Sequence, residues 1–384
     1  MASRRVLRTL MLSNFFMALG FNIWQAMFNN FAVEELGITA AQMGIIQSIR
    51  EVPGLLGFAA SFLALVFSEL SLASISVVVM GLGLGLMSLS SDAPSLLAYT
   101  LVFSVGFHLF HPTSSAVALL SSKDAETPRL LGRLASIGAA AAVLATLLIF
   151  FAVEPLGFRS TLVIAGIITG AGGLVCLSTG HRALARPERQ KVVFRSRYWV
   201  FYALTFLMGS RRHIFSTFAI YLLVHDFGLT TKVTAVLFLV TNLLTTYAAN
   251  LQGKLVANLG ERVTLSAYFA LIFLICFGYA YLSWLPLLMV LFVADSILSH
   301  FGIAVNSYFR RIAPPAEVTA NMSMSQTINH IAALFVPAAG GMVWESLGSE
   351  STFLFGAAVA LSCLVLTQWI RVAPAVMPST AGGK

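Results

Sequence analysis

Two arginines and a histidine, Arg211, Arg212 and His213, stand side by side in the middle of a long apolar run. Guanidinium groups match carboxylate or phosphate oxygens through paired hydrogen bonds, so an anion site is the chemistry this triplet suggests. The triplet lies about fourteen residues into the run, near the centre of a helix long enough to cross a bilayer. An arginine at that depth costs at least about 2.5–3.5 kcal/mol and needs something to hold it. Three consecutive residues fan over about 200° of a helix and cannot all face one cavity. The expectation is one arginine on a ligand and the other in a helix-packing ion pair. A purely internal pairing, with Glu51 or Asp295, is the competing reading.

Five further polar sets interrupt apolar runs. Gln47 and Glu51 share a helix face, Arg50 points about 100° away from Glu51, and Pro53 and Gly54 follow. Glu51 is the first candidate for carrying a coupled proton, because burial raises a carboxyl's proton affinity and a neighbouring arginine lowers it. A permanently ionised Glu51 that only neutralises Arg50 or Arg211 is the alternative. His108 and His111, three apart and flanked by Ser104 and Ser115, can exchange protons near neutral pH, contact a ligand, or simply bond neighbouring helices. Two histidines without a third ligand nearby do not predict a metal, and none is expected. Asp295, with His300 beyond it, is the second candidate proton carrier. Met322, Gln326 and His330 recur every four residues and form one stripe, suited to a cavity wall or to interhelical hydrogen bonding. Asn22, Gln25 and Asn29 give the first run its polar positions. Of the aromatic residues, Trp24, Phe107, Tyr202 and Tyr221 are placed to add contacts.

These groups must be positioned by helices in a membrane. With 58% hydrophobic and 10% charged residues and a mean hydropathy of +0.88, the chain cannot cover a soluble surface. Spans needing roughly 20 apolar residues each fit near 9–33, 39–67, 71–91, 95–120, 130–153, 160–179, 198–224, 231–252, 263–283, 285–309, 316–343 and 351–371. The first run outlasts a signal-peptide core and is read as a span. The only long hydrophilic connector, 179–197, divides the spans six and six, giving an N-terminal bundle over 1–178 and a C-terminal bundle over 198–384. A duplication of about 190 residues is consistent with that symmetry. Of 23 basic residues, Arg50, Arg211 and Arg212 lie within spans, 18 fall on one side by alternation, and only Arg159 and Lys232 fall on the other. Positive charge stays inside, so both termini and the linker are expected on the cytoplasmic face of a bacterial inner membrane. That asymmetry accounts for the net charge of +8 without a nucleic-acid partner.

Cys176, Cys276 and Cys363 are isolated and imply no metal or redox centre. No GxxxxGKS or GxxxxGKT phosphate loop is present, and the glycine-leucine repeat at 81–86 is a helix-packing face. No cofactor is expected, and an ion gradient is left as the energy source.

Polarity recurs every third span. Spans three, six, nine and twelve carry no interior charge, whereas one, four, seven and ten carry Asn22, Gln25 and Asn29, then His108 and His111, then Arg211 to His213, then Asp295 and His300. Every third helix is thus expected to line a polar interior and another such set to face lipid. A period of three in a six-plus-six chain resembles the major facilitator superfamily, whose first, fourth, seventh and tenth helices line a central cavity. The segment from Gly253 through Leu255 to Gly260 and Arg262 resembles that family's GxLxDxxGRK signature between spans eight and nine. Ala257 replaces the aspartate and Glu261 the first basic residue. The matching loop around Phe67, Ser68, Glu69, Leu70 and Ser71 lacks the signature. Phe110, His111 and Pro112, followed by Thr113, Ser114 and Ser115, resemble the fourth span of fosmidomycin-resistance-type exporters.

The resemblance implies an all-α membrane protein of twelve helices in two pseudo-symmetric six-helix bundles. It implies a secondary transporter working by alternating access, not an enzyme. The expected partners are a small anionic or amphipathic organic solute, a coupling proton and the lipid bilayer, with the protein a monomer. Substrate contacts are expected from Arg211, Arg212, His213, Asn22, Gln25, His108, His111, Gln326 and His330. Proton coupling falls to Glu51 and Asp295, and gating or ion pairing to Arg50, Gly253, Gly260 and Arg262. A transporter-like sensor or assembly factor that moves nothing is the alternative.

Overall fold

A computed structural model of the protein describes residues 4–55, 63, 67–121, 127–178 and 194–370. The heart of the basic linker, 179–193, and the tail from Arg371 lie outside these residues. The first helix, α1 (Arg4–Asn30), continues through a π-helical turn, Phe31–Glu35, and the chain reverses at Gly37. Thr39 then caps α2 (Ala40–Arg50), accepting from the Gln42 amide while the Gln42 side chain accepts from the Thr39 amide. Pro53 has no amide hydrogen and its ring crowds the carbonyl four residues earlier, so α2 stops at Glu51 and a short α3 (Val52–Leu55) follows.

After α4 (Glu69–Leu86) and α5 (Ala93–Ser121), the helical run α6 (Thr127–Ser178) is broken at Gly157, whose φ of 75° and ψ of 170° turn one span directly into the next. The second half comprises α7 (Trp199–His225), α8 (Thr231–Leu259), α9 (Glu261–Tyr281), α10 (Leu285–Leu298), α11 (Ile303–Ile312), α12 (Pro315–Leu347) and α13 (Ser349–Thr367). A 3-10 turn over Ser299–Gly302 joins α10 to α11 in one pass.

Nine helical stretches among the described residues are long and apolar enough to cross a membrane, and the stretch 129–178 supplies two of the passes. The two remaining passes contain the chemistry. Arg211, Arg212 and His213 lower the apolarity of α7, and the break at Glu51 shortens α2. Helices satisfy every backbone polar group internally, so they can carry such side chains through hydrocarbon without opening the chain.

The charge-free spans differ in how closely they are packed. Span three, α4, is 67% buried, and spans nine and twelve are 50% and 44% buried, against 39% for spans one and four. Span three therefore packs mainly against other helices. The glycine repeat explains α4. A Cβ at Gly83 would lie 2.2 Å from the Phe103 amide nitrogen, and one at Gly81 would lie 2.4 Å from that of Gly170, so α4 sits in backbone contact with α5 and α6.

The two bundles meet along α2 against α12, with α6 and α1 against α8. At the end that carries the α1–α2 reversal the seam is tight. A Cβ at Gly44 would lie 2.2 Å from the Pro337 carbonyl oxygen, and one at Gly341 would lie 2.4 Å from that of Ala40. Across the same seam the Ala41 amide donates to Glu345 at 3.0 Å, the Ala338 amide to Ser48 at 2.9 Å, and the Tyr221 hydroxyl to the Ile38 carbonyl at 3.0 Å. Asn30 donates to the Leu229 carbonyl at 2.6 Å and Lys232 pairs with Glu154 at 2.6 Å. These polar contacts between the bundles lie at this end. At the opposite end a charged cluster gathers on Glu317. There Glu317 takes Arg195 at 2.8 Å, Arg197 at 2.9 Å and the Tyr198 hydroxyl at 2.7 Å. The Tyr198 hydrogen bond, joined by the two arginines, holds the Glu317 carboxyl below its usual range.

A Gly341→Leu substitution cannot fit against Ala40, so it will hold α2 and α12 apart. Spin labels at Gln42 and Ser346 should report longer distances than in the parent protein, with helical content unchanged. An unaltered distance distribution would mean that this seam is not what closes the end.

Candidate functional site

The central residues sort into two clusters and one free cation. The first cluster lies inside the C-terminal bundle. Arg211, buried, is in direct contact with the Asp295 carboxylate of α10 and donates to the Tyr268 hydroxyl at 3.2 Å and to Ser299 at 3.1 Å. Ser299 also bonds the Asp295 carbonyl, at 2.8 Å. Both charges are thus paired and hydrogen-bonded, as a buried ion pair must be to persist. Arg211 and Asp295 are closed off from the space between the bundles. His300, by contrast, is exposed.

The second cluster joins the bundles. Glu51 caps α2 and has left the regular helix, so its carboxylate reaches back to its neighbour: Oε1 accepts from Arg50 Nη2 at 2.6 Å. The other oxygen, Oε2, lies 3.1 Å from His330 Nδ1 of α12 and 3.5 Å from His108 Nε2 of α5. Gly54 makes the approach possible, because a Cβ there would meet the His330 ring at 2.4 Å and the His108 ring at 2.8 Å. The Arg50 guanidinium also lies 4.8 Å above the Trp24 ring.

The hydrogen bonds around His108 define what lies between it and Glu51. Ser104 gives its hydroxyl hydrogen to the Arg50 carbonyl, so toward His108 Nδ1, 2.9 Å away, it can only accept. Nδ1 also points at the Ser104 carbonyl, 3.0 Å away, which has nothing to donate. Nδ1 therefore carries the hydrogen, and a neutral ring would turn the Nε2 lone pair onto a carboxylate oxygen. A proton on one of the two groups turns that repulsion into a hydrogen bond. His108 and Glu51 thus meet through one ring nitrogen and one carboxylate oxygen, and His330 brings the other bundle to the same oxygen.

Glu51, His108 and His330 are also the one group among the described residues whose ligand atoms, within 4.8 Å of one another, could surround a metal ion. Arg50 opposes it. At an effective dielectric near 20, a dication about 4 Å from that guanidinium is repelled by about 8 kcal/mol, which offsets a large part of the attraction of the one carboxylate. The set suits a proton better than a dication.

Arg212 is the free cation. Protein surrounds it, yet its side chain is accessible to water, and it forms no ion pair or hydrogen bond among the described residues. It therefore faces the gap between the bundles. His213 turns away and is buried, with Nε2 unpartnered. His111 on α5 and Gln326 on α12 are exposed, and Met322 and His330 are half-buried along the Gln326 stripe. Asn22 bonds Asn242 of α8 at 3.0 Å, a second link between the bundles, while Gln25 is half-buried and Asn29 buried. Tyr202 donates to Asn321 at 2.5 Å, and Tyr221 belongs to the seam.

The loop that resembles the family signature is held inside the C-terminal bundle. Gly260 turns α8 into α9 with φ of 78°, and Arg262 donates to Gln368 at 3.2 and 3.0 Å. Nothing packs where a Gly253 side chain would be. The charge pair of this loop comes from the residue that departs from the signature: Glu261 accepts from Arg311 at 2.9 Å and from Ser307 at 2.8 Å.

Sequence reasoning offered the Arg211–Asp295 and Arg50–Glu51 pairs as alternatives, but not the meeting of Glu51 with His108 and His330, nor the Tyr268 and Ser299 bonds to Arg211. Glu51 and His330 are 279 residues apart and Arg211 and Asp295 are 84 apart. Ser104 entered only as the edge of a histidine stripe, and its role in orienting His108 had no signal beyond the spacing of four.

Comparison with known proteins agrees with this architecture. The nucleoside transporter NupG has a crystal structure similar to this fold, with a TM-score of 0.81 and 13% identity, covering 94% of this chain and 99% of that one. A bacterial homologue of the human lysosomal transporter Spinster, inward-facing and occupied, superimposes with a TM-score of 0.78 at 12% identity over 96% and 98% of the two chains. A bacterial homologue of the iron transporter ferroportin, inward-facing, gives 0.72 at 14% over 96% and 99%. At such identities the likeness is one of fold. A search of curated proteins finds no match in sequence. The Major Facilitator Superfamily sequence model matches residues 10–309, well over half of the chain. With its helical passes in two bundles around a polar centre, the chain belongs to the Major Facilitator Superfamily.

Proposed function

We propose that this superfamily transporter moves a small anionic or amphipathic organic solute, coupled to protons, by alternating access in a bacterial inner membrane. The observation that carries the reading is Arg212. A central arginine without a partner costs the fold at least about 2.5–3.5 kcal/mol, and a ligand carboxylate or phosphate is what would offset it. His111 of α5, Gln25 of α1 and Gln326 of α12 are the polar side chains assigned to complete the site. Glu51 is the proton carrier in this reading, with His108 as the adjoining acceptor. Because His330 reaches the same carboxylate from the other bundle, protonation there would alter a contact that bridges the moving halves. Asp295 is assigned to holding Arg211 and not to proton movement. Both termini and the linker are assigned to the cytoplasm on the distribution of basic residues, and the transporting unit to a monomer. The open end of the central gap then faces the cytoplasm.

Proteoliposomes with an imposed pH gradient test the coupling. Glu51→Gln should abolish uphill accumulation while leaving solute exchange, since a carboxamide keeps the hydrogen bonds but carries no proton. Uphill accumulation by Glu51→Gln would place the proton elsewhere. A protein that moves no solute in either mode would instead be a transporter-like sensor.

Stability separates the two arginines. Arg211→Ala strands Asp295 and should cost about 3–5 kcal/mol, whereas Arg212→Gln removes a charge that nothing in the protein neutralises and should not destabilise. Equal losses in unfolding midpoint would contradict that division.

A further inference from the structure

We propose that the central site takes a univalent anion with a flat apolar body, a deepening that rests on the transport reading above. The charge comes from a balance of fixed groups at membrane depth. Arg50 is matched by Glu51 and Arg211 by Asp295, each pair in direct contact. Arg212 alone is unmatched among the described residues there, which leaves one positive charge facing the gap. One negative charge on the ligand neutralises it. While the Glu51–His108 pair carries no added proton, a second negative charge would have no counter-ion unless it broke one of the two pairs, and a neutral ligand would leave Arg212 stranded beneath it.

The shape comes from the wall beside the Glu51 cluster. Phe21 of α1 and Phe107 of α5 stack with ring centroids 4.8 Å apart and planes 16° apart, and both are half-buried. His111 stands edge-on to Phe107 at 4.6 Å with its ring exposed. Phe107 also touches the His108 ring, at 5.1 Å. This aromatic plate adjoins the Glu51 cluster, which lies within electrostatic reach of Arg212. A planar ring can extend the stack while its carboxylate reaches the guanidinium, whereas a puckered ring of the same size loses the face-to-face contact. Gln25 and His111 offer hydrogen bonds to one further substituent.

The test is ligand-dependent thermal unfolding of the purified full-length protein at pH 7.5, with benzoate, cyclohexanecarboxylate, phthalate and benzamide at matched ionic strength. Benzoate should stabilise at a concentration about tenfold below that needed for phthalate or benzamide, the size of one charge-assisted interaction. Cyclohexanecarboxylate should fall in between. Arg212→Gln should remove the benzoate effect, and Phe107→Leu should weaken it while leaving a response. Phthalate or benzamide equal to benzoate, cyclohexanecarboxylate equal to benzoate, an unchanged Arg212→Gln response, or no stabilisation by any of the four would each overturn the proposal. A binding pattern that holds in a protein showing no uptake would sink the transport reading alone. Uptake of some other solute with the binding pattern absent would sink this inference alone.

Discussion

The contact between Arg211 and Asp295 is the constraint from which the rest of the centre follows. Two arginines in sequence at mid-membrane cannot both be left in hydrocarbon, and one helix cannot turn both to the same side. The fold satisfies Arg211 within its own bundle, using a carboxylate, a phenol and a hydroxyl from two neighbouring helices. With its neighbour so held, Arg212 is directed into the gap between the bundles. An interior that paired both arginines would have no charge left with which to hold a solute.

The second consequence concerns motion. Helix α2 carries Gly44 and Ser48 against α12 and ends at Glu51, whose carboxylate meets His330 of the same α12. One helix therefore links the closed seam to the Glu51 cluster. Pro53 ends α2 at that point, so the carboxylate is presented from a turn and not from a rigid helix face. Any change at Glu51 is felt where the two bundles touch. The stretch from Glu51 to Ala41 is thus the physical path by which a proton and a gate would act on each other.

Much of this was legible in the sequence because membranes impose simple rules. Apolar run length gave the passes, and polar residues recurring in every third span pointed to a shared interior. The spread of three consecutive residues around a helix already separated Arg211 from Arg212. It could not say which one faced inward, because that depends on Asp295, Tyr268 and Ser299, which lie 57 to 88 residues away. Arg50 and Glu51 appeared to diverge on a continuous helix, and only the break at Glu51 lets them meet. The convergence of His330 with Glu51 depends on bundle packing that no local pattern encodes. Absence of charge is shared by lipid contact and by tight helix packing, and span three, 67% buried, shows the packing. The glycines at 81, 83 and 85 were the signal that packing would win in span three.

The division of labour between the two arginines is tested most directly by replacing the buried pair as a unit. In a protein carrying Arg211→Leu together with Asp295→Leu, two charges are removed at once and neither is stranded, which is often neutral or stabilising. Uptake into proteoliposomes should stay within a few-fold of the parent, whereas Arg212→Leu alone should lower it by at least about tenfold. A folded double variant that no longer transports, beside an Arg212→Leu protein that does, would contradict the account.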